Sequence, residues 1–178
     1  MQMNFSEIVL KPVGVIRSKI KEPVPRPDGA GITMKEKRKN VKAQRDKIRS
    51  MISEIVIDPS LEELLDDTDG HSHLMVLYWA HKVPSESRKL TKVHPMGLKE
   101  MPKRGIFATC SPARPNPVLV TVVRLLKRDK NILKVQGLEA LDGSPVIDIK
   151  PYVHGYHGAD NFKTSEWMEK MHNEVEEV

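Results

Sequence analysis

The feature that most restricts this chain is a succession of short β-branched runs broken by proline and glycine. "EIVLKPVGVIRS", "EIVID", "HLMVLYWAH", "RGIFATC", "VLVTVVRLL", "NILKVQGL" and "PVIDIKPYV" are five to twelve residues long, and turn-forming or polar residues separate them. Runs of that length read as strands. They do not alternate with amphipathic helices, so the βαβ pattern needed by a doubly wound nucleotide-binding sheet is excluded. The expectation is a mainly β fold, a closed or nearly closed β-barrel, with "KRDK" turning a hairpin between "VLVTVVRLL" and "NILKVQGL".

Two segments depart from the strand pattern. Residues 34–53 contain neither Gly nor Pro, and Met34, Val41, Ile48 and Ile55 recur at seven-residue intervals on a charged background. This predicts a helix inserted between strands that shows the core only a narrow stripe. Trp167, Met171 and Val175, spaced by four, predict a terminal amphipathic helix. The expected organisation is a barrel domain over 1–160 and a C-terminal helix over 161–178. "SLEELL" reads as a short helical turn with Ser60 as N-cap and Glu63 closing a capping box.

Charge is distributed unevenly. Eight Lys and Arg residues lie between Lys35 and Arg49, and seven acidic residues follow between Glu54 and Asp69. Such segregation suits either a nucleic-acid-facing helix or a helix docked on its acidic neighbour. The lone Cys110 excludes an intrachain disulfide and falls short of a structural zinc site. With no apolar run near the length of a membrane span and a polar start at Met1 to Phe5, the expected location is the cytoplasm.

Two loops carry the candidate chemistry. In "FATCSPARPNPV" three prolines fall within six positions around Arg114 and Asn116. Each proline fixes φ, so the loop is stiff before anything binds, which lowers the entropy cost of forming a ligand site. In "LDGSPVIDIKPY", Asp142 and Gly143 form a tight turn presenting a carboxylate and backbone N–H groups, with Asp148 and Lys150 on one strand face beyond it. His71, His73 and His81 would share one face of an extended segment, the weak pattern of a metal site; no second acidic or thiol cluster supports it, and no metal is expected.

Taken in order, "PVGVIRS", "VPRPDG", "GHSHLMVLYWAH", "RGIFATCSPARPNPV" and "LEALDGSPVIDIKPY" strongly resemble the TsaA-like, or TrmO, family of S-adenosylmethionine-dependent tRNA methyltransferases. The resemblance implies a small single-sheet β-barrel that dimerises and binds S-adenosylmethionine without a Rossmann domain. It implies cofactor contacts at Arg26, Pro27 and Asp28, at His81 and Lys82, at Cys110 and Val120, and at Asp142, Gly143, Ser144 and Pro145. Where the family carries arginine and glycine, this chain has Cys110 and Leu119; Arg114, in the same stiff loop, is the nearest substitute donor. The implied reaction is N6-methylation of threonylcarbamoyl-adenosine beside the tRNA anticodon, with Asp142, Asp148 or His81 as candidate proton acceptors. The alternative is a non-catalytic module of the same fold that binds S-adenosylmethionine or RNA.

Overall fold

The structure, a computed structural model, describes residues 7–23 and 34–178, with side chains of the second span taken from Glu36 onward. Arg26, Pro27 and Asp28 lie outside the described residues. Six antiparallel strands close into a barrel in the order β1 (Gly14–Arg17), β2 (Ile52–Ile57), β7 (Ile132–Gln136), β6 (Val118–Asp129), β3 (His73–Trp79) and β8 (Pro145–Pro151). β8 returns to β1, so the sheet has no free edge, and the expectation of a single closed sheet is met.

Alternation along each strand builds the core. Ile16, Ile55, Leu74, Val76, Val123, Leu133, Val135 and Val146 all point inward and are almost completely buried. Gly14 is required by close packing, because a Cβ there would lie 2.4 Å from the Val56 carbonyl oxygen. The predicted hairpin joins β6 to β7, with Lys130 in the left-handed region at φ 53°.

Several local expectations need correction. The first strand is confined to Gly14–Arg17; Ile8, Val9 and Leu10 are exposed and pair with no strand among the described residues. "RGIFATC" supplies only β5 (Arg104–Gly105), which pairs with β4 (Lys92–Val93), before Ile106–Ala108 turn into a 3-10 helix. The cap of the 3-10 helix Pro59–Leu65 is Asp58, whose carboxylate accepts from the Ser60 N–H and hydroxyl at 2.9 and 2.7 Å. Those bonds hold the Asp58 carboxyl below its ordinary pKa.

Helix α1 (Met34–Ser50) is the predicted insertion, and Ile55 belongs to β2 rather than to its stripe. A short α2 (His154–His157) follows the barrel, and α3 (Glu166–Glu176) is the terminal helix. α3 packs on α1, and acid meets base there. Arg38 pairs with Glu174 at 2.5 Å and Arg45 with Glu176 at 2.6 Å, while Lys42 donates to the Glu176 carbonyl at 2.7 Å. The acidic partners of the basic helix therefore come from the C-terminal helix and, for Lys37, from Glu100, rather than from the segment that follows it in sequence. Arg45 holds the Glu176 carboxyl below its ordinary pKa. Among the described residues, no helix is long and apolar enough to cross a membrane.

Candidate functional site

One end of the barrel opens into a cavity of about 600 Å³, the range of small-molecule sites. Ile20 and Pro23 beyond β1, and Tyr78, Ala80, Lys82 and Val83 at and beyond the end of β3, supply part of its wall. The proline loop contributes Thr109, Cys110, Pro112 and Arg114; the start of β6 contributes Val118 to Thr121. The segment entering the Asp-Gly turn adds Glu139 to Leu141 and then Ser144, and α1 adds Gln44 and Ile48, four residues apart on one helical face. The inserted helix is thus a wall of the cavity, which its charged composition did not announce.

The proline loop is held by its own arginine. Arg114 Nε donates to the Ser111 carbonyl at 2.9 Å and Nη2 donates to the Thr109 carbonyl at 2.7 Å. Its guanidinium lines the cavity while stapling the loop. Cys110, also on the cavity wall, is an exposed free thiol.

The Asp-Gly turn is anchored to the strand extension beyond β1. Gly143, at φ 77°, adopts a conformation that other residues rarely take. Its N–H donates to the Ile16 carbonyl at 2.8 Å, and the Asp142 N–H donates to the Ile20 carbonyl at 2.7 Å. The Asp142 carboxylate bonds Lys21 at 2.7 Å and accepts from the Ser18 N–H at 2.9 Å, and both hold its pKa below the ordinary range. Lys82 closes the same corner, donating to the Lys21 carbonyl at 2.6 Å and to Glu22 at 2.8 Å.

The three sequence-derived proton acceptors are therefore committed elsewhere. Asp142 faces a second concavity, described below. Asp148 pairs with Lys150 at 2.7 Å and accepts from the Ile149 N–H at 2.9 Å. His81 shares a hydrogen bond between Nδ1 and the Ser144 hydroxyl at 3.2 Å, and it does not line the cavity. No group of three His, Cys, Asp or Glu residues that could hold a metal ion occurs among the described residues, so His71, His73 and His81 form no such cluster.

The carboxylate that does reach the cavity is Glu139, which sequence reading passed over. Leu138 and Ala140 are buried, Ala140 also bordering the cavity, and alternation leaves Glu139 exposed on the cavity wall beside Leu141. Its carboxylate has no hydrogen-bond or ion-pair partner among the described residues. The surrounding protein raises its pKa by desolvation. The sole signal in the sequence was its parity with Leu141 ahead of the turn.

Of the residues implied by resemblance, Lys82, Cys110, Val120 and Ser144 line the cavity together with Arg114. His81, Asp142, Gly143 and Pro145 do not line it, though His81 hydrogen-bonds the Ser144 hydroxyl that does.

A family model described as the tRNA-methyltransferase O N-terminal domain matches residues 32–157. A Methanothermobacter thermautotrophicus protein, named a probable S-adenosyl-L-methionine-binding protein, is 43% identical over 150 residues, which is 84% of this chain and 93% of that protein. A mouse tRNA (adenine(37)-N6)-methyltransferase is 33% identical over 115 residues, covering 65% of this chain and 26% of its own length. The crystal structure of TrmO from Pseudomonas aeruginosa superposes with a TM-score of 0.63 at 25% identity, over 90% of this chain and 62% of that one. The chain thus spans somewhat less than two thirds of that solved protein and about a quarter of the mouse one.

Proposed function

We propose, since this chain belongs to the tRNA-methyltransferase O family, that it is a cytoplasmic S-adenosylmethionine-dependent methyltransferase that modifies N6 of threonylcarbamoyl-adenosine beside the tRNA anticodon. The observation that carries this reading is the convergence on one cavity of the proline loop, of Leu141 and Ser144 on either side of the Asp-Gly turn, and of Glu139, whose carboxylate has no partner among the described residues.

The residues present fit S-adenosylmethionine. A cavity of about 600 Å³ has room for a nucleoside joined to an amino acid. Val118, Leu119 and Pro112 offer apolar walls to a flat base, while Thr109, Ser144 and Lys82 offer polar partners. Arg26, Pro27 and Asp28 would join them by family resemblance. When bound, S-adenosylmethionine supplies an electrophilic methyl group on a positively charged sulfur.

The protein's own task is alignment and proton removal. Loops already stiffened by three prolines and by the Arg114 staple hold reactants in line without a fresh loss of loop entropy at each encounter. As N6 gains its methyl carbon, its hydrogen leaves as a proton, and the Glu139 carboxylate is placed to take it. The Glu139 side chain is exposed in the cavity, yet nearby protein partly desolvates it, and a carboxylate whose pKa is raised in this way is a stronger base than a fully solvated one. The target base would have to leave the stack to reach the cavity.

The working unit in this reading is a homodimer. Met75, Leu77 and Trp79 on the outer face of β3 sit opposite Val122, Val120 and Val118 of β6, and Val120 and Val122 are 54% and 46% exposed. This apolar ridge runs onto the cavity wall at Val118 and Val120, so a second copy seated there would border the site.

Incubation with methyl-labelled S-adenosylmethionine and total tRNA should place label on adenosine N6. Tight cofactor binding with no transfer to any RNA would instead favour a non-catalytic binding module, a reading supported by the name of the Methanothermobacter relative.

A further inference from the structure

A second concavity, of about 500 Å³ and open to solvent, lies on the outside of the barrel where β1, β2 and β7 meet. Arg17, Lys19, Lys21 and Lys134 line it, against the carboxylates of Glu54 and Asp142. Two of the cations are answered: Lys21 by Asp142 at 2.7 Å and Arg17 by Glu54 at 3.7 Å. Lys19 and Lys134 have no partner among the described residues.

The sheet register extends this surface. Arg17 is paired with Glu54, Glu54 with Lys134, and Lys134 with Lys127, so one row of charges crosses four neighbouring strands. Lys134 and Lys127 stand directly opposite each other and are both exposed. Like charges in that position are destabilising; Lys127 has a distant counter-charge in the exposed Asp129 at 3.9 Å, whereas Lys134 has no such partner among the described residues. By contrast, Arg38, Lys42 and Arg45 of the basic helix are already occupied by α3, and Lys37 by Glu100 at 2.7 Å.

The concavity is also next to the cavity of Glu139. In the extension beyond β1, Lys19 and Lys21 line the outer concavity, whereas Ile20 between them lines the cavity. A single extended segment is the partition between the two. We propose that this outer face binds the phosphodiester backbone of the RNA substrate, with a phosphate seated among Lys19, Lys134 and Arg17 and the strand continuing over Lys127. A backbone held there passes the cavity mouth one residue away from it, within reach of a base turned out of the stack.

This inference rests on the reading of the chain as a tRNA-modifying enzyme, and the test separates the two. Binding of total tRNA is measured over a series of salt concentrations for the wild-type protein, for Lys19→Glu/Lys127→Glu/Lys134→Glu, for the milder triple change to Gln, and for Lys39→Glu/Lys47→Glu on the exposed side of α1. The Glu triple variant should bind on the order of tenfold or more weakly. The Gln variant should show a shallower salt dependence, by roughly 0.7 to 0.9 for each phosphate that is no longer neutralised. The Gln variant should melt at or slightly above wild type, because it removes the opposed lysines; S-adenosylmethionine affinity should stay at the wild-type value in both triple variants, and the α1 variant should bind tRNA nearly as well as wild type. Wild-type binding that neither triple variant weakens, or a loss confined to the α1 variant, would overturn this inference and leave the methyltransferase reading standing. No tRNA binding by the wild-type protein would overturn both.

Discussion

The Tyr78 hydroxyl donates to the backbone carbonyl of Glu139, joining the end of β3 to the segment that enters the Asp-Gly turn. Thr121 lies 3.3 Å from the same hydroxyl, and burial raises the tyrosine pKa, so this phenol stays neutral and serves as a strut. The bond fixes the Glu139 backbone and leaves its carboxylate free to face the cavity.

Glu139→Gln should lower methyl transfer by about 10² to 10⁴, the usual contribution of a general base, while leaving S-adenosylmethionine affinity nearly unchanged. The same variant should melt higher than wild type at neutral pH. A folded-state pKa raised by desolvation penalises the ionised carboxylate. The gain should be complete above that raised value, fade as pH falls from it towards the ordinary glutamate range, and be gone below that range. An equal gain at all pH values would show that ionisation of Glu139 is not its source.

Asp142→Asn should have the opposite pH behaviour. Its carboxyl is held below the ordinary aspartate range by Lys21 and by the Ser18 N–H, so its contribution is present above that range and lost as pH falls through the lowered value. Melting curves of wild type and variant should therefore differ at neutral pH and converge in acid. Because the Asp-Gly turn also positions Ser144, calorimetry should show weaker S-adenosylmethionine binding at neutral pH.

Arg114→Ala should weaken S-adenosylmethionine binding more than Cys110→Ala does. The arginine variant loses both bonds that staple the proline loop, whereas the exposed thiol of Cys110 holds nothing in place. Cys110→Arg should bind as tightly as wild type or more so, since a guanidinium there adds a fork of donors to the cavity wall. Calorimetry on the three variants checks the ranking; a larger loss for Cys110→Ala would assign the thiol a role of its own.

Val122→Lys should convert the proposed dimer to a monomer without unfolding the barrel, because the side chain points outward from β6 opposite Met75. Light scattering at micromolar concentration is the measurement. A wild-type protein that already scatters as a 20.2 kDa particle would remove the dimer from the account.

The half-buried pair between Arg38 and Glu174 should be worth about 1 kcal/mol in a double-mutant cycle of chemical denaturation, the upper end of the range for surface ion pairs. Glu174→Lys should reduce the stability of α3 on α1 and raise tRNA affinity only slightly, if RNA is held on the barrel face instead.

Local pattern was enough to specify the elements. Alternation and β-branching in "HLMVLYWAH", "VLVTVVRLL" and "PVIDIKPYV" predict strands that the structure contains, and Lys130 with Asn131 turns the one hairpin those runs imply. The Asp-Gly turn and the proline loop were legible because glycine and proline restrict φ wherever they occur. Where the same reading went wrong, the missing quantity was a partner: Ile8 to Leu10 have the composition of a strand but no neighbouring strand among the described residues.

Which side chains meet was decided by the closed sheet. The sequence by itself determined that Glu139 and Leu141 share a face, but only the packing of β3, β6 and α1 around that face made it the wall of a cavity. It placed Lys127 and Lys134 seven residues apart, and only the β6–β7 register set them side by side. The basic helix was evident from composition, whereas its neutralisation by a helix more than a hundred residues away was not. Periodicity is set by neighbours within a few residues, while pairing, desolvation and charge compensation depend on groups brought together by long-range register, and no local repeat encodes that register.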